Sequence, residues 1–272
     1  YANHFDDPLD IVMSSGSTGR PKAYLFAAAH FVQEAELRGP RHELRALHFG
    51  IPFPTSTAAH AIVIRHLLAG VTSIHLPAVE SWKTLATEID KFQPFEVSAT
   101  PFAMAPLFTP GELSAVACEL PRQLRVYAGP LSDTFAGQLQ SALPRTRVVS
   151  IYGATEGANT TLVRTGAGSQ FNLTPADRNV GLWHTDEGRW ARTGEIGEIL
   201  MTSGSRVGPP LLIGEPQGAP ALPGGWVATG DLGRLEADGR LTFLGRSSDI
   251  IVRQGERHSA LALEQAIEAG GW

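Results

Sequence analysis

The sequence predicts an α/β protein: a mainly parallel, doubly wound sheet with helices on both faces, followed by a β-barrel-like subdomain and the start of a small α+β C-terminal domain. Three observations carry that expectation. Short apolar runs alternate with longer helical segments up to about Tyr152, the pattern of strands joined by covering helices. After Gly157 the texture changes to short segments punctuated by glycine, which reads as strands separated by turns. Beyond Gly245 a serine- and glycine-bearing stretch leads into one last helical segment.

Taken in order, the expected strands of the first region are residues 9–13, 46–51, 71–76, 95–99, 124–128 and 148–152, each a brief apolar run. The expected helices are residues 27–37, 57–68, 81–92, 102–108 and 132–143, several of them opened by Ser, Thr or Pro as helix N-termini prefer. In the second region residues 160–164, 197–202 and 227–229 read as strands, with a proline-rich link at 208–225 and a hairpin strand at 239–246. Residues 247–255 read as a hinge before a helix at 259–268 that stops at Gly270-Gly271. The domain expectation is therefore 1–245 as part of one large domain, with 1–157 α/β and 158–245 β-rich, and 246–272 as the hinge and the beginning of a second domain.

At 272 residues, 43% apolar and 18% charged, the chain has the composition of a soluble globular protein. Its net charge of −5 comes from interspersed acids and bases, with no basic block or basic–aromatic interleaving, so nucleic acid is not an expected partner. No membrane span is visible. The lone Cys118 cannot form an internal disulfide or a cysteine-rich zinc site, and a reducing, cytoplasmic setting is expected.

The richest segment is Ser14-Ser15-Gly16-Ser17-Thr18-Gly19-Arg20-Pro21-Lys22, which follows the run 9–13. Glycines let backbone N–H groups converge on an anion, the hydroxyls of Ser14, Ser15, Ser17 and Thr18 add donors, and Arg20 and Lys22 supply positive charge. A Walker-type loop is excluded, because Pro21 stands before the lysine and Ala23 after it. On this segment alone a phosphate grip competes with a plain Ser/Gly turn between a strand and a helix.

Two further turns, Ala128-Gly129-Pro130-Leu131 and Tyr152-Gly153-Ala154-Thr155-Glu156, follow expected strands, and ligands of doubly wound sheets bind beyond the carboxyl ends of strands. By themselves Thr155 and Glu156 also read as a turn or helix cap. Thr229-Gly230-Asp231 and Gly245-Arg246-Ser247-Ser248-Asp249, running on to Gly255-Glu256-Arg257, complete the set. An ionised Asp231 could accept from vicinal ribose hydroxyls; alone, it also reads as a turn residue and Arg246 as a solvated charge.

Together, in this order, the five clusters resemble the acyl-adenylate-forming (AMP-binding) superfamily of acyl-CoA synthetases, nonribosomal peptide adenylation domains and luciferases, over nearly the whole chain. The resemblance implies ATP-dependent activation of a carboxylate to acyl-AMP with release of pyrophosphate, then transfer to a thiol. It implies that residues 14–22, including Gly16, Gly19 and Lys22, cradle the β- and γ-phosphates, that Ala128, Gly129 and Pro130 flank adenine, and that Tyr152 stacks on it beside Gly153. It gives Thr155 the α-phosphate, Glu156 the magnesium ion, and Asp231 the ribose hydroxyls with Arg246 helping from the far side. Such a layout suits substitution at phosphorus, which depends on alignment and charge neutralisation.

Two departures matter. Ser248 stands where the family's hinge has an acid or lysine, although Asp249 keeps the second acid. Family members also carry a large N-terminal part before the phosphate loop and a C-terminal domain with a catalytic lysine. This chain is therefore expected to be a truncated piece, and Lys83 and Lys91 read as solvated helix charges.

The resemblance implies that members activating α-amino acids pair the substrate ammonium with an aspartate after one of the early strands; the corresponding residues 50–60 contain no acid, and a buried unpaired ammonium is costly. A carboxylic acid without an α-amine is therefore expected, with Phe53, His60, Phe102, Met104, Ile151 and Ala154 as the acid pocket. His60 also reads as an ordinary helix histidine beside His66. The leading expectation is an acyl-CoA ligase; an acyl-AMP ligase loading an acyl carrier protein through phosphopantetheine, and an impaired nucleotide-binding fragment, are the alternatives.

Overall fold

The computed structural model describes residues 8–14, 22–27, 32, 43–51, 57–77, 79–108, 121–155, 161–165, 170–172, 179–202, 211–212, 222–254 and 256–270. Its contacts divide the chain into two compact units, one of Phe31–Tyr152 with Val163–Gly168 and one of Tyr1–His30, Gly153–Leu162 and Ser169–Trp272.

The chain enters the second of these with β1 (Pro8–Ser14) and β2 (Lys22–Ala27), an antiparallel pair. The sequence reading placed a helix from residue 27, but Ala27 ends a strand. Tyr24 and Phe26 alternate onto one face, where they pack with Val12 and Val227. Period-two burial of two aromatic rings outweighs the helical preference of the alanines that follow.

The other unit holds β3 (Arg45–Phe49), β4 (Thr72–Leu76), β5 (Glu96–Ala99), β6 (Gln123–Val126) and β7 (Arg147–Gly153), joined as parallel neighbours in the order β4-β3-β5-β6-β7. These match five of the expected strands to within two residues at nearly every end. Between them run α1 (Thr57–Ala69), α2 (Trp82–Phe92), the one-turn α3 (Pro101–Met104) and α4 (Asp133–Ala142). Ser81, Thr100 and Ser132 each accept a backbone N–H at an N-terminus, the capping that fixes where those helices begin.

One face of the sheet is apolar. Leu47, Phe49, Val97, Leu124, Val126 and Val148 pack there with Trp82, Leu85 and Ile89 of α2 and Leu139 of α4, and each such side chain contributes about 1.5–3 kcal/mol on burial. The other face carries a row in strand register: His75, His48, Ser98 and Arg125 lie side by side. Beyond that row Tyr127, Val149 and Ile151 form a smaller core with Ile62 of α1.

The chain continues through β8 (Thr161–Thr165), then β9 (Gln170–Asn172), β10 (Val180–His184), β11 (Arg189–Trp190), β12 (Ile196–Met201), β13 (Leu211–Leu212), β14 (Val227–Leu235) and β15 (Arg240–Arg246). Within the first-entered unit, β11-β10-β12-β14-β15-β9 pair antiparallel in that order, and β13 adds to β2. A single turn at Ser247–Asp249 leads to the hairpin β16 (Ile250–Arg253) and β17 (Glu256–Ser259), then α5 (Ala260–Ala269), capped by Ser259. Within the expected hinge, Ser247–Asp249 is thus a turn and Ile250–Arg253 a strand.

Candidate active site

Ser14 and Lys22 are Cα partners at one end of the β1–β2 ladder, so the glycine-rich segment is the connection of an antiparallel hairpin rather than a strand-to-helix turn. Ser15, Gly16, Ser17, Thr18, Gly19, Arg20 and Pro21 lie outside the described residues, as do Glu156 and Phe53. Lys22 is half-buried at the base of the hairpin and also pairs with Leu212 of β13.

In the same unit, Thr229, Gly230 and Asp231 are locked from several sides. The Thr229 hydroxyl donates to the Ile199 carbonyl at 2.8 Å and accepts the Asp231 N–H at 3.1 Å. Gly230, at φ 78°, turns its N–H onto Glu198 Oε1 at 3.2 Å. Asp231 is buried at 4% exposure, and Arg246 stands directly opposite it in the β14–β15 ladder, Nε to Oδ1 3.0 Å. Arg246 also donates to the Thr229 carbonyl at 2.9 Å. Its guanidinium therefore lies beside Asp231, where it holds the carboxylate.

Glu198 was missed by the sequence reading. Burial pushes its carboxyl up; the Gly230 N–H and the Lys22 charge pull it down, and Asp231 pushes it up again. One acid thus touches the Asp231 turn and senses the lysine of the glycine-rich segment. Its sequence signal was faint: a glutamate in the apolar strand Ile196–Met201, where a half-buried acid needs a donor.

In the parallel unit, Ala128, Gly129 and Pro130 are exposed just past the carboxyl end of β6, with Leu131 buried behind them. Ala128 has φ 57°, a left-handed conformation that costs a residue with a Cβ about 1–2 kcal/mol. Tyr152 is half-buried near the carboxyl end of β7; Gly153, which is exposed, and Ala154 and Thr155, which are half-buried, belong to the other unit. Strain and side-chain supply both sit at the strand ends where such sheets bind ligands.

The expected acid pocket is only partly assembled. Met104 is fully buried in the core under the sheet, and Ile151 belongs to the core with Tyr127 and Val149. Residues two apart on a one-turn helix diverge, so Phe102 is 92% exposed. For His60 the structure gives the helical backbone only. A cavity of about 690 Å³ does open at the carboxyl ends of β3 and β4, lined by Leu76, Val79, Phe102 and Ala103 with His48 and His75.

Those imidazoles belong to a cluster. His48 stacks on His75 with ring centroids 4.8 Å apart and lies 5.2 Å from His66. Ser73 Oγ is shared by His48 Nε2 at 3.1 Å and His66 Nδ1 at 2.8 Å. Burial, His66, His75 and Arg125 hold the His48 pKa down to about 3, so the ring is neutral, and burial also lowers His75. Arg125 pairs with Glu96 at 3.3 Å, and Ser98 donates to the same carboxylate at 3.1 Å.

Among the described residues no helix is long and apolar enough to cross a membrane. The chain is 28% identical over 279 residues to D-lysergyl-peptide-synthetase subunit 2 of Epichloe festucae var. lolii, covering 92% of this chain and 19% of that protein. It is 26% identical over 281 residues to 2-succinylbenzoate–CoA ligase of Geobacillus sp. (strain WCH70), covering 98% and 56%. The chain therefore spans little more than half the length of the second and a fifth of the first. Its fold matches that of O-succinylbenzoate coenzyme A synthetase from Bacillus subtilis, solved with ATP and magnesium ion, with a TM-score of 0.76, 18% identity, and coverage of 98% of this chain and 56% of that one. The family model described as AMP-binding enzyme matches residues 2–207, and the chain belongs to that family.

Proposed function

We propose that this chain forms the nucleotide-binding part of an enzyme that activates a carboxylic acid with ATP. The acid's oxygen bonds to the α-phosphorus, the bond to the β-phosphate bridge breaks, and acyl-AMP and pyrophosphate result. The observation that carries this reading is the locked Thr229-Gly230-Asp231 turn. Its buried carboxylate is pre-set by Arg246, and Glu198 ties it to the unit that also bears Lys22. A pre-oriented acid loses little entropy in gripping ribose hydroxyls.

The remaining roles follow the family. Residues 14–22 take the β- and γ-phosphates, Ala128, Gly129 and Pro130 flank adenine, Tyr152 stacks on it, and Thr155 donates to the α-phosphate. Magnesium would ride on the phosphates, held by Glu156, and when bound it neutralises their charge. Such an ion needs one or two protein carboxylates, and it is compatible with the absence, among the described residues, of any cluster of three metal-ligating side chains. The antiparallel sheet would be the barrel-like subdomain within domain 1–245, and residues 246–272 the hinge and opening of a C-terminal domain.

The acceptor proposed first is CoA, which the similarity to a CoA ligase supports. Similarity to a peptide synthetase supports a carrier protein's phosphopantetheine as the second reading. ATP–pyrophosphate exchange with fatty, aryl and amino acids on the full-length protein tests the reaction. Magnesium-dependent exchange with at least one acid without an α-amine is expected, and no exchange with any acid would overturn the proposal. CoA against a phosphopantetheinylated carrier protein then separates the acceptors.

A further inference from the structure

The walls of the 690 Å³ cavity at the ends of β3 and β4 share one character. Leu76, Pro77, Val79, Phe102, Ala103 and Pro106 line it, and no carboxylate, lysine or arginine does so among the described residues. Among the described residues, the side chains there with hydrogen-bonding nitrogen are His48 and His75. The single Ser73 hydroxyl proton can serve one of its two imidazole neighbours, so the other ring must donate to it; neutral rings satisfy both contacts. Arg125 already supplies positive charge near His48. The described lining therefore offers an ionised group neither a counter-ion nor a charged donor, and bringing one in is costly.

The cavity is also built against α3, which touches the turn proposed to flank adenine. Thr100 Oγ1 donates to the Gly50 carbonyl at 3.1 Å and caps α3 through the Ala103 N–H at 3.3 Å. A Cβ on Gly50, at φ 62°, would fall 2.0 Å from the Ala103 Cβ, so β3 and α3 are in closest approach there. A Cβ on Gly129 would stand 3.4 Å from the Pro101 ring. The one-turn α3 thus touches the Ala128–Pro130 turn through its first residue and walls the cavity with the next two. The sheet order puts β6 two strands from β3, roughly 10 Å along one edge.

We infer that this cavity receives the tail of the acid and selects an uncharged hydrocarbon or aryl tail, with Val79 and Ala103 limiting its length. The inference rests on the adenylating function proposed above. It excludes tails ending in a second carboxylate, and it moves the selecting residues away from Met104 and Ile151.

Two readouts keep the inference and its premise apart. In pyrophosphate exchange on the full-length protein, kcat/KM for octanoate should exceed that for octanedioate by about tenfold or more, and Val79→Trp should lower the octanoate-to-acetate ratio by about tenfold. Phe102→Ala removes an exposed side chain with little expected effect on folding, and should raise the octanoate KM several-fold. Fluorescence titration with cis-parinaric acid, without ATP, reads the cavity directly; Val79→Trp should weaken it about tenfold, an effect of one or two methylenes' worth of contact. Equal use of octanoate and octanedioate, or parinarate binding and chain-length ratios indifferent to both variants, would overturn the inference. Parinarate binding weakened by Val79→Trp in a protein that exchanges pyrophosphate with no acid would instead overturn the adenylation reading and leave the cavity assignment standing.

Discussion

The two units treat buried polar groups in opposite ways. Around Asp231 the chain keeps charge: the carboxylate is buried but held by Arg246, the turn is fastened by Thr229, and Glu198 receives the Gly230 N–H. Around His48 it suppresses charge: three imidazoles cluster, two of them sharing one hydroxyl, and the central ring stays neutral down to a pH of about 3. Pairing stabilises a buried ion, whereas burial beside a like charge expels the proton. Under the function proposed above, the first environment takes the ribose of the nucleotide and the second an uncharged tail.

The contrast can be broken in several ways. The largest expected effect is Asp231→Ala, which should raise the KM for ATP roughly ten- to hundredfold through loss of a charge-assisted hydrogen bond. Steady-state kinetics at saturating acid check it, and an unchanged KM would remove Asp231 from the ribose. Next is acid. Because the folded pKa of His48 lies below its ordinary 6.5, the unfolded chain binds the proton more tightly. The stability from keeping this ring neutral is then complete above pH 6.5 and is lost as pH falls from there towards 3, by up to about 1.4 kcal/mol per pH unit. Urea midpoints at pH 7 and 4.5 measure this. His48→Gln, which cannot titrate there, should flatten the slope, and an identical slope would refute the neutral ring.

Arg246→Ala should cost about 1–3 kcal/mol of stability by leaving Asp231 buried without its cross-strand cation, visible in the same urea experiment at pH 7. The smallest effect sharpens the adenine side. Ala128→Gly should stabilise the protein by about 1 kcal/mol, because glycine adopts φ 57° without strain. A loss of stability would mean that the Ala128 methyl makes contacts that outweigh the strain.

Much of this was legible in the sequence wherever the signal was local. The strands at 95–99 and 148–152 were short apolar runs, and Ser81 and Ser132 cap helices that start one residue later. What was not legible depended on register between distant strands. Arg246 opposite Asp231, and His48 between His75 and Ser98, follow from ladder pairing that no window of sequence contains. Tyr24 and Phe26 were overlooked because the alanines after them suggested a helix. Phe102 and Met104 were grouped as one pocket, although a single helical turn sends one out and the other into the core.

The most direct test of this division of labour is a matrix of two variants against two substrates, with KM for ATP and for octanoate measured on Asp231→Ala and Val79→Trp in the full-length protein. The account predicts that Asp231→Ala moves the ATP column by about tenfold or more and Val79→Trp the octanoate column by about as much, each dominating its own. If both variants shift both columns equally, or each shifts the other's, the charged and neutral environments do not read separate parts of the reaction.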